Sequence, residues 1–378
     1  MMVMINEKIK GICDSNFQNV ADKFLNNLSS DEEIGASYTV IQNGSILIDI
    51  YGGYKNKEQD DPWLLDTLVG VHSTGKGIIS MLIAILIDKG LLNLNEYVSH
   101  YWPTFCGHGK EQIKVKTLLS HQAGMYAWQD EINEEDFYNW DYVVNLLEKQ
   151  KPFHSPEELI CYHPKTIGFL VGELIKKITK KSIGQFLHES LSLPLKAECF
   201  IGTPKEYHIN IADLVSSPSL RKAFNDPKNI DEYTMKSFLN PGNRTKTANT
   251  EKYRLAQIPA LNCHSNSRSL AKIYDHFLNN KLISQKTLDE VISIETKGDD
   301  QVMKRPMQWS PVGFSIGGGK LFGKSSQSFG HTGWGGSMAF SDPENKISVA
   351  YTMNMLTGSM LGDQRGLDLV NETYKKIT

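Results

Sequence analysis

The sequence has few cysteines, no long apolar run and almost no net charge. Its five cysteines lie far apart and form no Cys-x-x-Cys pair, which excludes a disulfide scaffold and a cysteine-rich zinc site. The most apolar run, residues 78–87, is too short for the ~20 residues that cross a membrane. With 40 basic and 43 acidic residues, the net charge of −3 gives no basis for binding nucleic acid or an anionic membrane.

We also expect the chain to have no targeting signal. Residues 1–16 contain no apolar core followed by a small-residue cleavage site. Hydrophobic residues make up 40% and charged residues 22% of the 378, which is typical of a folded globular protein and excludes disorder and coiled coils. We therefore expect a cytoplasmic protein with reduced, mostly buried cysteines, no nucleic-acid or membrane partner, no metal and no cofactor.

Strand patterns lie near both ends of the chain. Two β-rich runs, 36–42 and 45–51, flank Asn43-Gly44, a dipeptide that favours a type I′ turn because both positions need a positive φ. This pattern predicts a hairpin. Further short β-type runs, separated by glycine-rich or Asp-Pro turns, occur at 312–316, 338–341 and 347–354.

Helical spacing dominates the rest of the sequence. Residues 7–28 are loosely helical, residues 78–87 predict a buried apolar helix, and residues 362–377 predict an amphipathic one. The long middle region is also mostly helical, with residues 270–278 among its clearest cases. The polar residues 222–253 predict a long surface loop instead.

The chain is long enough for two to three domains of ~100–200 residues. Since strands and flanking helices occur at both ends, we expect residues 1–100 and 301–378 to form one domain with an antiparallel sheet. Residues 101–300 are expected to form a mostly helical domain inserted into it. This is an α/β (α+β) architecture, and the cleft between the two domains is the expected place of an active site.

A phosphate-binding loop is the first candidate motif. Residues 318–325 satisfy the pattern Gly-x4-Gly-Lys-Ser, which needs a following helix whose N-terminal amides hold the phosphates. The next residues, 326–336, contain four glycines and no helical spacing. We therefore do not expect a nucleoside triphosphatase.

A serine nucleophile is the stronger candidate. The tetrad Ser-x-x-Lys occurs three times, at 73–76, 219–222 and 269–272. Catalysis needs the serine at the start of a helix, with the lysine one turn later on the same face and desolvated so that its pKa falls. Only Ser73 precedes a helix that is apolar on nearly all sides and would bury Lys76. The alternative is that Ser73 is an ordinary helix N-cap.

Three short motifs occur in order along the chain: Ser73-x-x-Lys76, Tyr162-His163-Pro164 and His331-Thr332-Gly333. Together they resemble the three motifs of serine β-lactamases and penicillin-binding proteins, and most of all those of class C-like family VIII carboxylesterases. The resemblance runs from about residue 30 to the C-terminus. It implies a β-lactamase-like fold.

The resemblance also implies a role for each matching residue. Ser73 attacks a carbonyl carbon and carries the acyl group, while Lys76 and Tyr162 share the proton transfers. The base is either Lys76 or Tyr162, the latter as a phenolate held by the Lys76 charge. The backbone N–H groups of Ser73 and Trp334 form the oxyanion hole. The other expected binding residues are His331, Thr332, Gly333, Gly335 and Gly336 at the strand edge. The aromatic residues expected to line an apolar acyl or alcohol pocket are Tyr126, Trp128, Trp309 and Trp334, with core packing as the alternative for Trp309.

Two departures from the family pattern bear on the substrate. The second motif ends in Pro164 where the family has an asparagine, and proline offers no amide donor. The third motif begins with His331 where the family has a charged lysine, and a histidine with a pKa near ~6.5 is mostly neutral at pH 7. Both changes favour a neutral ester or a small amide over an anionic β-lactam.

We therefore expect a metal-independent serine hydrolase that works through an acyl-enzyme, and above all a carboxylesterase with a small-molecule ester substrate. Within the enzymes, the alternatives are a β-lactamase and a D-amino-acid peptidase or amidase. An alternative of another class is a non-catalytic descendant that serves as a scaffold.

Overall fold

The computed structural model describes residues 8–225, 231–242, 245–318 and 321–377. The strands in these residues are β1 (Ile9–Cys13), β2 (Gly35–Gln42), β3 (Ser45–Gly53), β4 (Val69–Gly70), β5 (Cys199–Ile201), β6 (Val215–Ser216), β7 (Cys263–Ser265), β8 (Thr296–Asp300), β9 (Arg305–Trp309), β10 (Ser315–Ile316), β11 (Phe329–Thr332), β12 (Met338–Asp342), β13 (Ile347–Met353) and β14 (Met355–Leu356). The α-helices are α1 (Gln18–Leu28), α2 (Gly75–Asp88), α3 (Val98–Tyr101), α4 (Val115–Leu119), α5 (Glu134–Phe137), α6 (Trp140–Lys149), α7 (Thr166–Thr179), α8 (Ile183–Leu187), α9 (Leu193–Leu195), α10 (Pro218–Asn225), α11 (Glu232–Leu239), α12 (Thr245–Ala248), α13 (Glu251–Leu255), α14 (Ser267–Leu278), α15 (Gln285–Val291) and α16 (Gln364–Ile377).

Nine strands form one antiparallel sheet in the order β1-β3-β2-β13-β12-β11-β10-β9-β8. Three of them come from residues 9–53 and six from residues 296–353. The two groups join where β2 pairs with β13, with Val40 opposite Val349. The expected antiparallel sheet built from both ends of the chain, with flanking helices, is therefore confirmed.

The predicted N-terminal hairpin is also confirmed. β2 ends at Gln42 and β3 begins at Ser45, and these two residues pair across the turn. Asn43 and Gly44 have φ angles of 49° and 78°, the positive values that a type I′ turn requires. The turn therefore forms for the local reason that the sequence indicated.

The N-terminal segment is a strand followed by a helix, so the predicted continuous helix over residues 7–28 is wrong; residue 7 itself lies outside the described residues. Ile9–Cys13 is extended because it pairs with β3, with Ile9 opposite Gly52. A Cβ at Gly52 would lie 2.5 Å from the Lys8 carbonyl oxygen, so the glycine allows this close approach. Helix α1 begins only at Gln18.

Helix α2 lies in the interior, where it contacts both the sheet and the helical residues. All of its residues from Gly75 to Leu86 are buried. It packs against β11 on one side and against α7 and α15 on the other. The apolar run that the sequence placed in a buried helix therefore forms a core helix, and its N-terminal end is held rigidly.

The polar stretch 222–253 is not a single loop in the part of the chain that the structure describes. It contains the end of α10 and the short helices α11, α12 and α13, while residues 226–230 and 243–244 lie outside that part. Asp231 caps α11 by accepting a hydrogen bond from Thr234 N at 2.8 Å. The predicted loop is therefore wrong for these helices, because capping and tertiary contacts order a sequence of low apolar content.

The middle of the chain is mostly helical, as expected. The division into residues 1–100 with 301–378 and residues 101–300 stays a prediction, and residues 1–7 and 378 of it lie outside the described part. Within the described ranges, no helix is both long and apolar enough to cross a membrane.

Candidate active site

Ser73 lies in a short 3-10 turn, His72–Thr74, that connects β4 to α2. The turn is held by a distant part of the chain, because β4 pairs with β7 and Val71 N donates a hydrogen bond to the Cys263 carbonyl oxygen at 2.9 Å. Ser73 is half-buried, and His72 before it has a φ of 45°, in the left-handed region. The structure therefore places Ser73 at the N-terminal end of a buried helix, as the sequence predicted.

Lys76 follows one turn later on the same face of α2. Its Nζ lies 2.7 Å from Ser73 Oγ and donates a hydrogen bond to the Ala260 carbonyl oxygen at 3.1 Å. Lys76 is only 4% exposed, and burial lowers the pKa of its amine well below the ordinary value of 10.5. In the neutral amine a lone pair is available to the Ser73 hydroxyl. The arrangement can therefore remove the Ser73 proton at a pH well below 10.5.

Tyr162 of the second motif faces the same pair. Lys76 Nζ lies 5.1 Å from the centre of the Tyr162 ring, and an interaction with Ser73 acts to lower the pKa of the Tyr162 hydroxyl. Trp309 stacks on the ring at a centre-to-centre distance of 5.4 Å, and Asp300 Oδ1 accepts a hydrogen bond from Tyr162 N at 3.1 Å. Burial raises the pKa of Tyr162 above its ordinary value. This shift favours a neutral phenol over the phenolate alternative.

Strand β11 ends in the third motif and packs against the turn that carries Ser73. Gly333 allows this approach. A Cβ there would lie 2.8 Å from Thr74 Oγ1 and closer still to Ser337 Oγ and the Val71 carbonyl oxygen. Ser337 Oγ also donates a hydrogen bond to that carbonyl oxygen at 2.8 Å. The first and third motifs are therefore in direct contact.

The turn after β11 contains Trp334 and Gly335. Gly335 has a φ of 88°, its N–H donates to the Ser359 carbonyl oxygen at 3.0 Å, and its own carbonyl oxygen accepts from Arg365 Nη2 at 2.9 Å. Arg365 is itself paired with the buried Asp363 at 2.8 Å. The backbone of this turn is therefore fixed, which is what an oxyanion hole requires.

His331 is buried and uncharged. Its Nδ1 lies 2.7 Å from the Thr332 carbonyl oxygen, and since a carbonyl oxygen can only accept, Nδ1 carries the hydrogen. Burial lowers the pKa of His331 to about 3. The third motif therefore supplies no positive charge at neutral pH, in agreement with the expectation from the sequence.

A cavity of about 380 Å³ opens beside Ser73. Pro164, Leu261, Met303 and Trp334 are among the residues that line it, so its walls are mainly apolar. A cavity of this size lies within the usual range of small-molecule sites.

The aromatic residues expected around the pocket have different positions. Trp334 lines the cavity. Tyr126 and Trp309 lie behind it in one apolar cluster with Tyr162, and the Tyr126 ring contacts Tyr233 at 5.6 Å between ring centres. Tyr126 and Trp309 therefore belong to the apolar packing around Tyr162.

Trp128 was expected to line the pocket, but it lies in the helical core. It is 2% exposed, packs edge-on against Phe169 at 5.7 Å between ring centres, and donates from Nε1 to the Val143 carbonyl oxygen at 3.0 Å. Its indole N–H is therefore satisfied within the core. Proximity to Tyr126 in the sequence did not bring Trp128 to the cavity.

The segment 231–242 forms one wall of the cavity, a position that was not predicted from the sequence. Phe238 and Leu239 of α11 line that wall. The available signal was the N-cap Asp231 followed by apolar residues within the polar stretch. No sequence pattern in this segment, however, indicates that it lies close to Ser73 in the fold.

Two lysines that line the cavity were also missed. Lys165, directly after the second motif, donates from Nζ to the Phe238 carbonyl oxygen at 2.7 Å and to the Pro241 carbonyl oxygen, and burial lowers its pKa to about 7. Lys304 forms an ion pair with Asp231. Both lysines therefore anchor the segment 231–242 over the cavity.

The serines of the other two Ser-x-x-Lys tetrads take part in structural hydrogen bonds. Ser269 Oγ accepts a hydrogen bond from Glu198 N at 2.9 Å, and Ser219 Oγ donates to Glu32 at 3.0 Å; the side chain of Lys222 lies outside the described part. After the phosphate-loop pattern, of which residues 319–320 are also outside it, the next element is strand β11 rather than a helix. Among the described residues, no group of three or more His, Cys, Asp or Glu side chains is arranged to hold a metal ion.

Comparison with known proteins agrees with this geometry. The family model described as Beta-lactamase matches residues 18–371. The Mycobacterium tuberculosis protein described as "Esterase/beta-lactamase LipL" is 26% identical, and the alignment covers 94% of this chain and 85% of the relative.

Solved structures extend the likeness to the whole fold. A family VIII carboxylesterase has a TM-score of 0.91 at 32% identity, covering 98% of this chain and 100% of that chain. A penicillin-binding protein homologue from Caulobacter crescentus has a TM-score of 0.90 at 29% identity, covering 97% and 99%. The predicted β-lactamase-like fold is confirmed. The chain therefore belongs to the beta-lactamase family and is a serine hydrolase.

Proposed function

We propose that this hydrolase is a carboxylesterase that acts on small neutral esters through an acyl-enzyme formed on Ser73. One observation carries the proposal: Ser73 Oγ lies 2.7 Å from the buried amine of Lys76, at the edge of a largely apolar cavity. The family VIII carboxylesterase at 32% identity supports the same substrate class.

In the proposed acylation step, the neutral amine of Lys76 accepts the Ser73 proton as the serine oxygen attacks the ester carbonyl carbon. The negative charge that develops on the carbonyl oxygen is stabilised by the backbone N–H groups of Ser73 and Trp334. The Lys76 ammonium then returns a proton through the Tyr162 hydroxyl to the alcohol oxygen as the C–O bond breaks. The products are the free alcohol and acylated Ser73, with Lys76 neutral again.

Deacylation uses the same groups in the opposite direction. A water molecule occupies the place of the alcohol and gives its proton through Tyr162 to Lys76 as it attacks the acyl carbon. The bond to Ser73 Oγ then breaks, and the serine oxygen takes the proton back from Lys76. The carboxylic acid is released, so the cycle consumes one ester and one water.

The charges around the cavity support a neutral substrate. His331 is uncharged at neutral pH, and Pro164 offers no amide donor. The two lysines of the cavity already have partners, since Lys165 bonds to two backbone carbonyl oxygens and Lys304 pairs with Asp231. An anionic substrate would therefore have to displace an existing interaction.

The test compares p-nitrophenyl butyrate with a chromogenic cephalosporin, using the wild-type protein and a fluorophosphonate probe. We expect the ester to have the higher kcat/KM and the probe to label Ser73. A preference for the cephalosporin would replace the esterase assignment by a β-lactamase one. No labelling at Ser73 would refute the acyl-enzyme.

β-Lactam hydrolysis is the second candidate activity, because the name of the Mycobacterium tuberculosis relative combines esterase and β-lactamase. The same cephalosporin assay measures it. A D-amino-acid amide, added as a third substrate, tests the amidase alternative.

We also propose the two-domain division 1–100 with 301–378 and 101–300, and a cytoplasmic location. The sheet that residues 9–53 and 296–353 share supports a domain built from both ends of the chain, and β8 (Thr296–Asp300) extends that sheet five residues before the proposed boundary. Limited proteolysis should cut near the boundaries, and cell fractionation tests the location.

A further inference from the structure

His72, the residue before Ser73, has an unusual position. It is 4% exposed, and it is one of the residues around the cavity, together with Ser73 and Trp334. Trp334 packs edge-on against it, with 5.4 Å between ring centres and 67° between ring planes. Within the described residues, neither ring nitrogen of His72 has a hydrogen-bond partner.

This position is unfavourable for the free protein. A buried polar atom without a hydrogen-bond partner destabilises the fold. In addition, His72 has a φ of 45°, a left-handed conformation that only a few per cent of non-glycine residues adopt. Costs of this kind cluster at functional sites, where a bound molecule supplies the missing contact.

We infer that His72 determines substrate specificity by hydrogen-bonding to a hydroxyl group that the substrate carries close to the scissile ester. The inference rests on the proposed esterase function and narrows its substrate class to hydroxylated esters. His72 acts here as a binding residue and takes no part in the proton transfers.

A hydroxyl is the group that fits this imidazole. Burial lowers the pKa of His72 to about 4, so at neutral pH the ring has one N–H and one lone pair. A hydroxyl donates and accepts, so it can pair with whichever nitrogen faces it, whereas a carboxylate only accepts. The largely apolar walls leave few other partners for a hydroxyl there.

Two pairs of isosteric esters test the inference. On the acyl side, p-nitrophenyl 3-hydroxybutyrate is compared with p-nitrophenyl 3-methylbutyrate. On the alcohol side, 2-hydroxyethyl butyrate is compared with propyl butyrate in a pH-stat assay. Because a neutral hydrogen bond changes kcat/KM by about threefold to tenfold, we expect the hydroxylated member of one pair to be preferred by that factor.

The same ratios are then measured in two variants. His72→Phe keeps a ring of similar size but removes both nitrogens, so the preference should fall to about one. His72→Asn keeps a donor and an acceptor and tolerates the left-handed backbone, so it should retain part of the preference. His108→Phe is the matched control, because His108 has a φ of 56° but is exposed at the surface, and it should leave the ratios unchanged.

Equal turnover within both wild-type pairs would overturn the inference, and so would an unchanged preference in His72→Phe. If His72→Phe fails to fold, as a thermal unfolding curve will show, the wild-type ratios and His72→Asn still decide. Failure of the esterase proposal looks different, since no ester of either pair would then be hydrolysed.

Discussion

Replacing Gly333 by alanine should separate the third motif from the turn that carries the nucleophile. The new Cβ would lie 2.8 Å from Thr74 Oγ1, about 0.7 Å inside an ordinary contact of about 3.5 Å. It would lie closer still to Ser337 Oγ and the Val71 carbonyl oxygen. The two side chains can rotate away, but the carbonyl oxygen belongs to the backbone of the turn.

The turn and β11 must therefore move apart by about 1 Å, a misplacement that can cost ~10²-fold in rate. Because the proposed oxyanion-hole donors are the backbone N–H groups of Ser73 and Trp334, one on each side of the gap, the site loses one donor. Losing such a donor costs ~10²–10³ in kcat. We expect kcat/KM of Gly333→Ala for p-nitrophenyl butyrate to fall by that factor, and its Tm to fall because of overpacking.

Two further variants make the test specific. In Gly333→Ala/Ser337→Ala the contact with the Val71 carbonyl oxygen remains, so activity should stay low. In Gly298→Ala the new Cβ meets only the end of the Ile160 side chain, at 3.1 Å, so kcat/KM should stay within about threefold. A folded Gly333→Ala enzyme with wild-type kcat/KM, or full rescue in the double variant, would refute the reasoning.

Three other predictions follow from the site. Ser73→Ala should lower kcat/KM by at least ~10³-fold with an unchanged circular dichroism spectrum, while Ser269→Ala should stay near wild type; equal activities would remove Ser73 as nucleophile. In a pH–rate profile, kcat/KM should rise as Lys76 loses its proton, with an apparent pKa well below 10.5. It should not fall again below pH 10, because burial raises the pKa of Tyr162. An apparent pKa near 10.5 would contradict the desolvation of Lys76. His331→Lys should raise kcat/KM for the cephalosporin relative to p-nitrophenyl butyrate by ~10–150-fold, because a charged hydrogen bond to the carboxylate is gained; an unchanged ratio would show that the third motif does not set the charge preference.

The sequence by itself determined the features that depend on neighbours along the chain. The hairpin follows from the positive φ angles that Asn43-Gly44 accepts, and they are the angles observed. The spacing of Ser73 and Lys76 on one helix turn placed their side chains within hydrogen-bonding distance, because residues three apart share a helix face. The apolar run after them indicated burial of the lysine, and burial is the cause of its lowered pKa.

Tertiary structure decided whatever depends on a partner far away in the sequence. Residues 9–13 have helical spacing but form a strand, because β3 offers an edge for pairing. Trp128 enters the helical core instead of the cavity, because Phe169 and Val143 are brought beside it.

The wall of the cavity is the clearest example of a feature that local sequence patterns do not predict. The segment 231–242 has only a local helix signal in its sequence, yet Lys165 holds it beside the cavity through two backbone carbonyl oxygens. Likewise, no pattern near His72 indicates that both of its ring nitrogens are buried without a hydrogen-bond partner among the described residues. Local patterns specify helix faces and turns, whereas desolvation and contact between distant segments arise only when the whole chain has packed.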